Sequence, residues 1–175
     1  MHPIKPGIPP ARFATLTLLA WLSMIGFDLF LHAGLLAGLY TESSPFLLPP
    51  ECAFALIPFG YLSFLVLAIL LVWLMTRLGV QGWRQGALFG LRLGALAWGS
   101  FVLGLLSIST ASPVLLAGWF FGQTIELAIA GMFAGSGLAG SRARPLFIKV
   151  AILMIGAFVV TVIMQSAGLA PVVRR

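Results

Sequence analysis

Charge is what this sequence has least of. Only 8% of its 175 residues are Asp, Glu, Lys or Arg, against about 25% in a soluble domain whose surface must face water. That shortage excludes a water-facing globule. Cysteine is nearly missing as well: Cys52 stands alone, so neither an intramolecular disulfide nor a cysteine-based metal cluster can form. Histidine occurs only as His2 and His32, one of them in the N-terminal tail, so a haem held by two membrane histidines has no second ligand. No lysine falls in the middle of an apolar run, which removes a Schiff-base site.

What is present is apolar, with 61% hydrophobic residues and a mean hydropathy of +1.11. Two architectures can satisfy every backbone polar group inside a bilayer, the α-helix and the closed β-barrel. Barrel strands run about ten residues and alternate apolar with polar, whereas the apolar runs here are long and unbroken. The expected fold class is therefore all-α: a polytopic transmembrane bundle of five spans, near 13–39, 53–76, 86–107, 114–138 and 146–168. Each covers the ~20 residues that a ~30 Å hydrocarbon core requires. A Pro-rich tail (1–12) precedes the bundle and a short tail (169–175) follows it. The first run is far longer than the 7–15 residues of a cleavable signal, so it is read as a retained span.

Punctuation agrees with this threading. Pro10, Pro50, Pro113 and Pro145 stand at or just before helix starts, where a missing N–H costs nothing. Ser112 reads as an N-cap and Glu51 as a charge suited to a helix start, while GVQGWRQG (79–86) is turn-like. Pro58 falls inside span two and predicts a kink. A formal charge of +6 would point to nucleic acid in a soluble protein, but the basic residues form no stripe and gather at span ends. Lys5 and Arg12 precede span one, Arg77 and Arg84 separate spans two and three, and Arg142, Arg144 and Lys149 flank span five. Loops 41–51 and 107–113 carry none. The positive-inside rule then gives a cytoplasmic N-terminus, with Arg174 and Arg175 dissenting.

Small residues recur every four positions: Gly34 and Gly38; Gly86, Gly90 and Gly94; Gly118 and Gly122; Gly131 and Gly135. This spacing lets helix backbones approach closely where lipid is as apolar as leucine. It predicts packing inside the bundle, or a seam with a second copy or a larger membrane complex.

The segment FDLFLHAGLLAGLY (27–40) places Asp28 near the bilayer centre, with His32 one turn later and able to lean back to it. Glu126 marks the midpoint of span four, with Gln123 on the same face. An ionised acid at that depth costs about 2.5 kcal/mol or more, so these groups are expected to face inward, paired or protonated. Arg92, six residues into span three, either snorkels to the headgroups or pairs with Asp28 or Glu126. Asp28, His32, Glu126, Gln123 and Arg92 are thus the candidate polar centre, read either as a proton relay or ligand site or as a polar knot that fixes packing.

Sharper chemistry fails on spacing. AGSGLAG (134–140) is faintly like an intramembrane serine-protease motif, but Ser136 and His32 fall on opposite sides of the midplane, beyond hydrogen-bond reach. The glycines follow no strand, which excludes a phosphate loop. No catalytic residue, metal site or cofactor is expected.

FDLFLHAGLLAGLY, the PE pair, GLRLGALAWG and WFFGQTIELAIAG together resemble a group of small, uncharacterised bacterial integral membrane proteins. The resemblance spans most of residues 20–140. It implies a bacterial inner membrane and transfers no activity. The expected role is a non-catalytic accessory or self-assembling membrane component, with a small transporter or proton-linked permeation protein as the alternative and an intramembrane enzyme last.

Overall fold

A computed structural model describes residues 8–41 and 44–171, with backbone only at Pro50 and Glu51. The expectations placed on His2, Lys5, Arg174, Arg175 and the Glu51 side chain lie outside the described residues. Five helices follow one another: α1 (Pro10–Phe30), α2 (Pro50–Leu78), α3 (Trp83–Ile108), α4 (Pro113–Leu138) and α5 (Ala143–Ser166). All five are long and apolar enough to cross a membrane.

Local chemistry sets the ends. Pro10, Pro50 and Pro113 each open a helix, where φ is already helical and no N–H is missed. Gly79 ends α2 in the left-handed region at φ 69°, and the following Val80 N–H returns 2.9 Å to Met75 O. Gly82, at φ 89°, then turns the chain into α3. Ser112 does occupy the N-cap of α4, but its hydroxyl makes no capping bond. α2 continues as helix through Pro58.

The first span departs from regular α-helix near its end. Leu31–Leu35 widens to a π-helix and Ala37–Tyr40 tightens to a 3-10 turn. Spacing rules change with it. Gly34 remains buried against Thr161 and Met164, whereas Gly38, four residues on, is exposed with open space around it. The expected Gly34–Gly38 packing pair is therefore corrected to Gly34 alone.

α1 and α4 form the centre of the bundle. Leu19, Ala20 and Met24 of α1 meet Leu127, Ala130 and Ala134 of α4, with Ala68, Leu71 and Met75 of α2 closing the same core. Arg12 donates 2.7 Å to Gly137 O, tying the start of α1 to the end of α4. Trp21 Nε1 donates 2.7 Å to Tyr61 O and fixes α1 against α2.

α3 packs backbone to backbone on α4. A Cβ at Gly86 would run into Gly131 O, one at Gly90 into Leu127 O, and one at Gly94 would lie 2.9 Å from the Thr124 Cα. Gly82 N–H donates 2.8 Å to Gly135 O at the end of this seam. Gly118 and Gly122 serve another contact, receiving Leu36 and Leu31 from the first span. These contacts bring Arg12, Arg77, Arg84, Arg142 and Arg144 to one end of the bundle.

Candidate functional site

Asp28 and His32 meet as their spacing predicts, with His32 Nε2 3.1 Å from Asp28 Oδ1. The π-helical turn begins between them and contains the histidine. Such single-turn widenings cost hydrogen-bond quality and are frequently found at functional sites. Here the widened turn is pinned from α5, where Gln165 Nε2 donates 3.1 Å to Ala33 O.

Tyr40 closes the other side of the imidazole. The 3-10 turn folds it back so that its hydroxyl lies 2.5 Å from His32 Nδ1. Trp119 of α4 donates its indole N–H to the same hydroxyl at 2.7 Å. Desolvation pushes the Tyr40 hydroxyl up to about 12, so it keeps its proton at neutral pH. With Trp119 occupying a lone pair, that proton points at His32 Nδ1. A neutral imidazole then carries its own hydrogen on Nε2, facing Asp28. Gln123 Nε2 lies 3.3 Å from the same nitrogen; an amide N–H only donates, so with the hydrogen on His32 Nε2 this is a contact and not a hydrogen bond.

Glu126 lies one turn from Gln123 on α4 and is wholly buried, at 0% exposure. Among the described residues neither carboxyl oxygen meets hydrogen-bond distance and angle with a partner, and Gln123 Oε1 has none either, although the Gln123 side chain is placed to reach the carboxyl with a small shift. The two acids share a level: Leu31 packs at Gly122 and His32 at Gln123, which places the turn holding Asp28 beside the turn holding Glu126.

The structure thus brings Asp28, His32 and Gln123 into one network with Glu126 beside it, and leaves Arg92 out. Arg92 is exposed on the face of α3 turned away from α4, and the described residues contain no ion pair that involves it. The reason is geometric. Gly90 and Gly94 occupy the α4 side, so a residue midway between them must point outward. Tyr40, Trp119 and Gln165 are network members that sequence reading passed over. Trp119 had a usable signal, being four residues before Gln123 and hence on its face. Among the described residues no cluster of three or more His, Cys, Asp or Glu could hold a metal ion.

This site defines the chain as an all-helical bundle with five membrane-length helices and a half-satisfied polar centre. Comparison with protein-family models, curated proteins and solved structures finds no match to this chain.

Proposed function

We propose that the chain is a multi-pass bacterial inner-membrane protein that moves protons, alone or with a small solute, through the Glu126 centre. One observation carries the reading: a carboxyl group buried in the core with both oxygens unpartnered. A group placed only to fix packing would be hydrogen-bonded, because an unsatisfied buried polar atom costs about 1–3 kcal/mol. Protonation removes the larger cost of a buried charge, so Glu126 is suited to take up a proton and to lose it again when a shift of the helices brings a donor such as the Gln123 amide to its oxygens. Gln123, His32, Asp28 and Tyr40 then line a route of exchangeable groups leading away from the core toward the 41–49 loop.

The test uses the full chain in liposomes loaded with a pH-sensitive dye, under an imposed pH difference. Wild-type protein should collapse the gradient faster than empty vesicles, and Glu126→Gln should not. Equal decay in all three would overturn the reading. Orientation belongs to the same proposal, with the basic end and the N-terminus cytoplasmic. In a Cys52→Ser background, an impermeant thiol reagent added outside intact cells should label Leu47→Cys and spare Gln81→Cys; the opposite pattern would reverse the topology.

α3 favours a second reading, an accessory component in a homo-oligomer or larger membrane complex. It leans on α4 almost alone, and its free face exposes Leu88, Leu96 and Leu103 around Arg92. A cation at that level is costly in lipid, and an acid on a neighbouring helix would neutralise it. Native mass spectrometry of gently extracted protein should then show an assembly that Arg92→Leu dissolves. A wild-type monomer would remove this reading.

A further inference from the structure

The basic end of the bundle holds an open cavity of about 400 Å³. Three segments wall it: the first turns of α1 with Ala11, Arg12 and Thr15, the last turn of α4, and the turn into α5 with Ser141 and Ala143. Its floor is apolar, made by Leu16 and Leu146, which are 3% and 4% exposed. The rim is polar and carries the charge. Arg12 spends one nitrogen on the carbonyls ending α4, and among the described residues the rest of its guanidinium has no bond and lines the opening.

Among the described residues the other charged groups near this rim have the same sign. Arg142 and Arg144 are exposed beside Ser141 and Ala143. Neither α1 nor α5 has an acid in its first turn or a side-chain cap on its first N–H groups. Both described carboxylates, Asp28 and Glu126, lie about halfway along the bundle. A cationic rim over an apolar floor, at the end where a bilayer surface would pass, matches an amphiphile with an anionic head. Basic pockets between helices on the cytoplasmic side bind phosphate headgroups for this reason.

We propose that this cavity is a headgroup site for an anionic phospholipid, its phosphate held by Arg12, the one cation among the described residues that line the cavity, with Arg142 on the adjoining turn adding its charge from outside the lining, and its glycerol end lying over Leu16 and Leu146. The apolar floor and the open mouth favour a lipid over free phosphate, which has no use for either. The proposal rests on insertion of the chain in a bilayer and not on any proton movement at Glu126.

The test is native mass spectrometry of the full chain with added phosphatidylglycerol, phosphatidylcholine or inorganic phosphate. Phosphatidylglycerol should be retained in one strongly held copy and phosphatidylcholine lost. Ser141→Glu puts an anion in the rim of an exposed turn without removing a bond, and should weaken that retention about tenfold, the loss expected for one charge-assisted contact. Arg142→Gln should weaken it similarly. Thermal unfolding in phosphatidylcholine alone reports whether the variants fold, and both should melt with the wild type. Equal retention of the two lipids would overturn the proposal. So would phosphatidylglycerol binding that both variants leave intact. Inorganic phosphate that displaces the lipid at equal concentration would overturn the lipid assignment. Loss of proton flux with lipid retention unchanged would bear on Glu126 only.

Discussion

Gly90→Val should detach α3 from the bundle, lowering stability by more than about 3 kcal/mol, the upper range of ordinary overpacking. The valine Cβ would meet the Leu127 carbonyl oxygen and lie 3.0 Å from the Ala128 Cα. Both are backbone atoms, so no rotamer change can make room. The helices must separate, and separation also parts Gly86 from Gly131 and strains the Gly82–Gly135 hydrogen bond. α3 has little to fall back on, because most of its surface faces outward. Gly104→Val is the matched control: nothing lies within 4 Å of a Cβ there, and its cost should be near zero. Unfolding in mild detergent, followed by fluorescence of Trp98 with the other four tryptophans replaced by Phe in both variants and the reference, reads both. Equal melting of Gly90→Val and wild type would mean that the glycine seam does not hold α3.

Much of this arrangement is legible in the residues. Scarce charge and long apolar runs dictate five membrane-length helices, and Gly86, Gly90 and Gly94 announce a close helix contact by their spacing alone. Asp28 and His32 meet because i and i+4 are neighbours on any helix that is still α-helical between them. The limits have physical causes. Spacing rules assume 3.6 residues per turn, and the first span abandons that value at Leu31. Gly38 therefore swings outward, and Tyr40 swings back over His32. No pattern in 27–40 signals the change. Pairs across elements are equally hidden: Trp119 with Tyr40 and Gln165 with Ala33 depend on how loops return the chain. Arg92 shows the converse. Its apolar neighbours leave inward and outward positions alike open, and only the glycine seam decides.

Glu126→Met should make the protein more stable and functionally silent. Methionine fills nearly the same volume and asks for no hydrogen bond, so it removes two unpartnered oxygens from a site with 0% exposure. Replacing a whole buried ion pair by apolar residues of similar volume is often neutral or stabilising by about 1–4 kcal/mol, and an acid without a partner has no attraction to lose. A gain of about 2 kcal/mol is the expected result here, read as a higher unfolding temperature in a fixed detergent. Glu126→Gln should gain less, because its amide still needs partners that the core does not supply. Both variants should lose proton flux, since neither side chain exchanges a proton. Stability that rises as activity falls is the signature of a group kept for work. A structural acid would behave in the opposite way. If Glu126 held α1 and α4 together through Gln123 and Asp28, methionine would lower the unfolding temperature, and the retained amide of Glu126→Gln would partly restore it. The order of the three unfolding temperatures therefore decides between the two roles: Met above Gln above Glu for a proton carrier, and Glu above Gln above Met for a packing knot.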